Sequence, residues 1–415
     1  MQKRHNIVLL CFCAVFVCYI DRVNISVAII PMQEAFGWSD TTKGLVLSSF
    51  FVGYMLTQAP SGWLTNRIGG KIVLGAAVLW WSVFTLLTPM AALISLPVLI
   101  LTRILMGVGE AAMFPAAYGV LGNWIPEKER SRSIGFMVGG IPLGTLFALS
   151  TTGWIVERFG WPWAFYSFGL LGIIWTIAWY FRSTDRPADY PGISEQEKSL
   201  LSDLVSNDES EKQIPWRTLL THRAVIVMFI NHFSSNWGLY LLLAWLPSYF
   251  RDAQGLSLSS AGIYSAAPWL TMFVMANLSG WVADAIKVRG FSLTFVRKVM
   301  QCTGLFGSAL FFLVAQYADT PLHALALMCG ALGFIALTWA GWAPNPIDIA
   351  PRYADILMGI SNTFATIPGI IGVALAGWLV EQSGGYDSVF ILAALVQVFG
   401  GILWLMFATA EKIIE

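Results

Sequence analysis

The sequence predicts an all-α membrane protein: twelve transmembrane helices in two pseudo-symmetric six-helix bundles. Three observations lead there. Apolar residues make up 57% of the 415 and charged residues only 12%, with a mean hydropathy of +0.67, about half the charged fraction of ordinary soluble domains. Twelve mostly apolar runs of about 20 residues, the length that crosses a bilayer as a helix, follow one another along the chain. Two segments of the first half also recur in the second at nearly one offset. SGWLTNRI at 61–68 returns as SGWVADAI at 279–286, 218 residues on, and GWIVE at 153–157 returns as GWLVE at 377–381, 224 residues on.

The first run, 7–30, follows a basic start, but no small-residue cleavage site closes it and an Asp-Arg pair lies inside it, so it reads as a retained span rather than a signal. The second, 44–66, carries Tyr54 and ends in the first copy of the repeat. The third covers 71–93, and the fourth, 97–123, holds Arg103 and Glu110. In the fifth, 133–157, Gly135, Gly139, Gly140 and Gly144 have the small-xxx-small spacing that lets helices pack closely, with Pro142 as a kink. The sixth is 162–181. Residues 182–222, rich in Pro, Ser and mixed charge, read as a cytoplasmic linker with a short amphipathic helix around Glu195–Val205. The seventh, 223–249, is polar for a span, with Asn231, His232, Ser234, Ser235, Asn236 and Tyr240. The remaining five occupy 259–284, 298–317, 321–347, 353–381 and 387–410. None shows the alternation of a membrane barrel, so only helices can satisfy the backbone in lipid. The expected organisation is an N-terminal bundle at 1–181, the linker, and a C-terminal bundle at 223–415.

The basic residues orient the chain. With a cytoplasmic N-terminus, 19 of the 24 Lys and Arg fall on inward connections, three (Lys43, Arg158, Arg251) on outward ones, and Arg22 and Arg103 inside spans. That bias places both termini in the cytoplasm. The balance of 24 basic against 24 acidic residues leaves nucleic-acid binding without an electrostatic footprint. Five cysteines lie in apolar runs with no CxxC pair and read as reduced structural thiols. With four histidines in all and no HExxH or GxSxG, nothing points to an enzyme, a metal or a bound cofactor.

The loop GWLTNRIGGK at 62–71 resembles the G-x-L-a-D-r-x-G-G-r motif of the major facilitator superfamily. Asn66 replaces the usual acid, which Asp284 keeps in the second half. More narrowly, YIDRVNISVA (19–28), FFVGYMLTQAPSGWL (50–64), TRILMGVGEAAMFPA (102–116), ERSRSIGF (129–136) and DIAPRYADILMGISNTFATIPGI (348–370) resemble the anion:cation symporter family. That family includes bacterial galactonate, glucarate and hexuronate importers, animal sialic-acid and vesicular glutamate carriers, and plant plastid anion transporters. Leu47 and its neighbours are apolar where the glutamate carriers place a histidine.

Asp21, Arg22, Arg103 and Glu110 sit at membrane depth, where each ionisable group costs a few kcal/mol or more and is a functional candidate by default. Seven residues separate Arg103 from Glu110, so both share one helix face. A buried carboxyl prefers its proton, and a neighbouring arginine opposes that preference. An anion that takes the arginine therefore leaves the carboxyl ready to be protonated, and anion and proton travel together. The resemblance implies Asp21 and Glu110 as the proton-coupling acids, Arg22 as the ligand of the substrate carboxylate, Arg103 as a second cavity arginine, and Tyr54 and Asn362 as hydrogen-bonding positions for substrate. The plainer reading is two internal salt bridges, or local neutralisation of Asp21 by Arg22. His232 is a candidate proton relay by its titration range, with a structural hydrogen bond as the plainer reading. The expected function is proton-coupled uptake of an organic anion by alternating access, with a sugar acid such as galactonate, glucarate or hexuronate as cargo and the proton gradient as drive. Sialate, glutamate, phosphate or an aromatic carboxylate, or uniport or exchange, is the alternative. The expected setting is a monomer in a bacterial inner membrane.

Overall fold

Some of the helices begin where the sequence supplies caps. In the computed structural model, which describes residues 2–194, 197, 200–201 and 216–413, the hydroxyls of Ser95, Ser257, Ser292 and Thr320 accept from backbone N–H groups three residues on, opening four of the long helices. The twelve long helical stretches are α1 (Lys3–Phe36), α2 (Asp40–Ile68), α3 (Gly70–Ile94), α4 (Leu96–Trp124), α5 (Arg132–Phe159) and α6 (Trp161–Arg182), then α7 (Arg223–Ala253), α8 (Leu258–Val288), α9 (Leu293–Ala315), α10 (Pro321–Ile349), α11 (Pro351–Ser383) and α12 (Asp387–Phe407). Among the described residues, eleven are both long and apolar enough to cross a membrane. The other, α2, has the length, with 29 residues, but a more polar composition.

Several helices outrun the apolar stretches that predict them, because polar turns find partners. The first N–H groups of α1, those of Lys3 and Arg4, donate to the Glu197 carboxylate at 3.1 and 2.9 Å, and the Arg4 side chain pairs with Glu129 at 2.9 Å. The helix expected around Glu195–Val205 falls largely outside the described residues, but Glu197, Leu200 and Leu201 are helical.

Proline shapes the interruptions. α4 breaks at Ala111–Ala112, just after Glu110. Pro115 has no N–H to offer the Ala111 carbonyl one turn back, and that carbonyl instead takes, at 3.3 Å, a share of the Ser61 hydroxyl of α2, whose shorter bond is to Gln58. Pro247 and Pro368 precede or open wider turns at Tyr249–Ala253 and Pro368–Gly372. In α5 the break falls at Gly139, so Pro142 occupies the third position of the restarted helix, where its missing N–H leaves no bond unmade. Of the four glycines expected to pack, Gly140 and Gly144 lie against the α1 backbone at Phe12 and Phe16, whereas a side chain at Gly135 would meet open space.

The chain packs as two compact units. One holds Met1–Ile25, Ser49–Ala148 and Ile155–Lys212, and the other Ser26–Ser48, Leu149–Trp154 and Gln213–Glu415. The repeats recur in local detail. Ser61 and Ser279 each donate to the carbonyl three residues back, at 2.8 and 2.7 Å. Trp154 and Trp378 are 50% and 48% exposed. Inside the second unit, Gly44 meets Gly377 where α2 crosses α11, and Gly262 and Gly153 lie on the facing backbones where α8 crosses α5. These glycines keep the offsets of the repeats: 218 residues from Gly44 to Gly262 and 224 from Gly153 to Gly377.

Candidate functional site

Two glycines bring the site together. At the α2–α4 crossing, a methyl on Gly53 would run into the Ile104 carbonyl, and one on Gly107 into the Phe50 carbonyl. This approach sets Phe50 and Tyr54 of α2 beside the buried face of α4 that carries Arg103 and Glu110. The Thr57 hydroxyl adds a bond to the Val108 carbonyl at 3.1 Å.

Arg22 and Glu110 form a buried ion pair. Glu110 Oε2 accepts from Arg22 Nη2 at 2.8 Å and from Nε at 2.9 Å. The guanidinium carbon lies 4.8 Å from the centres of the Tyr19 and Tyr54 rings and 5.1 Å from that of Phe50, a three-ring surround that favours a cation. The Cys18 thiol donates to the same Glu110 oxygen at 3.3 Å. Glu110 Oε1 is buried with no hydrogen-bond partner among the described residues.

Asp21 and Arg22 do not neutralise each other. Successive residues on a helix point about 100° apart, and Asp21 faces α3, where its Oδ2 accepts from the Trp81 indole at 3.1 Å. Its Oδ1 is buried with no hydrogen-bond partner among the described residues, like Glu110 Oε1. Arg103 pairs with no carboxylate among the described residues. Its Nη1 approaches the Met106 sulfur at 3.0 Å, its Nε is buried without a partner, and its guanidinium lies 5.5 Å from the Phe50 ring. Phe50 thus touches both guanidinium groups. Of the two internal salt bridges of the plainer reading, the described residues form one, Arg22–Glu110, and Asp21 is held by a neutral donor.

The second unit carries the other two candidates. His232 is buried, with Nδ1 bonded to the Ser361 hydroxyl at 2.8 Å and its ring stacked on Trp342 at 3.4 Å. Asn236 donates to the Ala365 carbonyl at 3.1 Å, so α7 is tied to α11 on either side of Asn362. Asn362 is half-buried, and its carbonyl accepts from Thr366 at 2.8 Å. Asn231, Ser235 and the backbone of Trp342 all bond to Gln301, a buried polar set that the polarity of the seventh run foreshadows. Sequence reasoning passes over Cys18, Tyr19, Phe50 and Trp81. Cys18 and Tyr19 stand one turn or less before Arg22, a spacing that brings side chains together. Trp81 carries no such signal, since a tryptophan in a span reads as lipid belt.

The Major Facilitator Superfamily profile matches residues 11–296. An Arabidopsis thaliana protein described as sodium-dependent phosphate transport protein 1, chloroplastic, is 42% identical over 413 residues, covering 100% of this chain and 80% of that one. The chloroplastic ascorbate transporter of the same plant is 42% identical over 413 residues, with 100% and 76% covered. Human sialin is 34% identical over 445 residues, with 99% and 90% covered. Among solved structures, a D-xylose-proton symporter superposes with a TM-score of 0.78 at 15% identity, over 98% of this chain and 99% of that one; at that identity the likeness concerns the fold.

Proposed function

The chain belongs to the major facilitator superfamily, in its anion:cation symporter group, and from that premise we propose that this anion transporter is a proton-coupled importer of an organic anion, with a sugar acid as cargo. The observation that carries the reading is the buried Arg22–Glu110 pair, whose carboxylate keeps one oxygen without a partner.

Arginine suits the role because its planar fork can grip a carboxylate with two parallel bonds and does not lose its charge. Without cargo, Glu110 occupies that fork. An arriving carboxylate competes for it, and the displaced Glu110, buried and stripped of its counter-ion, binds a proton. Removing one partner of a buried pair without such compensation would leave a charge stranded in a medium that penalises it. Anion and proton are thereby bound together. Asp21 is the second acid, Arg103 the second cation, and Tyr54 and Asn362 the donors and acceptors for cargo hydroxyls. A relay through His232 would run by way of the Ser361 hydroxyl, where Nδ1 is directed. The rings around Arg22 favour a flat or polyol-bearing organic acid over a compact inorganic ion. Ascorbate, in one relative's name, is a sugar-derived acid; phosphate, in another's, is the competing cargo, with sodium as the competing drive. The bias of the basic residues supports cytoplasmic termini, and a bacterial inner membrane is the setting we propose.

The test is uptake into proteoliposomes of galactonate, glucuronate, ascorbate, sialate, glutamate and phosphate, under an inward proton gradient, an inward sodium gradient, or neither. Wild type should concentrate a sugar acid only with the proton gradient, and Glu110→Gln should exchange it without concentrating it. Phosphate uptake driven by sodium, or uptake indifferent to either gradient, would overturn the reading.

A further inference from the structure

The carboxylate of Glu110 is held unevenly. All three of its hydrogen-bond donors, Arg22 Nε, Arg22 Nη2 and Cys18 Sγ, converge on Oε2 at 2.9, 2.8 and 3.3 Å, and Oε1 has no partner among the described residues. The two side chains differ in what they can do next. Arg22 has a long flexible arm, and the proposed cycle requires its guanidinium to turn from Glu110 to the cargo. Cys18 lies one turn before Arg22 on the same helix, is buried, and has a single side-chain torsion, so its thiol has far less reach than the guanidinium.

We propose that Cys18 is the positioning residue of the coupling carboxylate. With Arg22 drawn away, the thiol is the donor left on Oε2. It keeps the carboxyl plane fixed and directs the proton to Oε1. By stabilising the ionised form it also sets the proton concentration at which Glu110 loads. The other charged and titratable groups within electrostatic reach of Glu110 are Arg22 and Asp21 from α1, Tyr54 from α2 and Arg103 from α4, with Tyr19 of α1 against Arg22; α3 contributes the neutral Trp81, which bonds Asp21. Cys18 is the neutral donor to Glu110 in this set. The thiol reacts with nothing: it transfers no group and changes no redox state.

The inference rests on the proton-coupled reading above, and the experiment separates the two. Gradient-driven uptake is measured against pH in wild type, Cys18→Ala, Cys18→Ser and Glu110→Gln, with cargo exchange in the absence of a gradient as the check on folding and binding. Losing the donor favours the protonated carboxyl, so the alkaline limb of the Ala variant should move up by about 0.5–1 pH unit, a roughly three- to tenfold change in proton concentration. Serine restores a donor, and its limb should lie at or below that of wild type. If the Ala variant does not fold, Cys18→Val, close to cysteine in volume and without a donor, takes its place. Coincident limbs, or Ala and Ser variants displaced upward together, would overturn the positioning role and leave the coupling role of Glu110 standing. If Glu110→Gln still concentrates the cargo, the coupled reading falls and this inference falls with it.

Discussion

At the scale of single residues, the site depends on which way adjacent side chains point. Arg22 grips Glu110 and Asp21 turns to Trp81, though the two are neighbours in sequence. Arg22→Lys keeps the charge but loses the fork, and kcat/KM for the cargo should fall tenfold or more, about 1.4 kcal/mol of transition-state binding. Transport kinetics in proteoliposomes read this directly. Trp81→Phe keeps the ring and removes the donor to Asp21. A carboxylate that loses a donor holds its proton more readily, so the pH limit of uptake should rise while the cargo's exchange affinity is unchanged. The four ionisable residues are legible in sequence because charge inside an apolar run is costly and stands out against it. Their pairing is not legible, since it depends on helix rotation and on neighbours such as Trp81 that look like any lipid-facing tryptophan. Cysteines in apolar runs read as inert, and it is the contacts of Cys18 with Glu110 at 3.3 Å and with Arg22 at 3.8 Å that give it a place in the site.

Among the helices, contact is decided by what is absent from glycine. Gly53 and Gly107 let α2 lie on α4, whereas Gly62, on the same α2, faces nothing within 4 Å. Gly107→Leu should therefore prevent a monodisperse folded protein, while Gly62→Ala should leave thermal stability unchanged or raise it by about 0.5–1 kcal/mol through helix propensity. A melting series in detergent distinguishes the two. Spans and repeats follow from hydropathy and internal similarity, so most of the architecture is readable beforehand. The interruptions are less so. The break after Glu110 depends on Pro115 withdrawing an N–H and on Ser61, half a hundred residues away, supplying a shared donor in its place. The small-residue spacing in α5 is half informative: Gly140 and Gly144 face α1, but Gly135, before the break at Gly139, faces nothing within 4 Å.

For the molecule as a whole, the proposed orientation can be tested with a thiol reagent that does not cross membranes. The native cysteines are buried or half-buried. A cysteine at Gln382, exposed near the end of α11, should be labelled on intact cells, and one at Val288, exposed at the end of α8, only after the membrane is opened. The reverse pattern would invert the topology. Asp21, Arg22, Arg103 and Glu110 together carry no formal net charge. A carrier returning without cargo or protons would then move this neutral cluster, and its return step would not feel the membrane potential. A monoanion arriving with one proton keeps the sum at zero. With two protons, on Asp21 and Glu110, one positive charge crosses per cycle, and an inside-negative potential adds about 2.3 kcal/mol of drive per 100 mV. The current carried per anion across a planar bilayer therefore counts how many of the two acids load in each turnover.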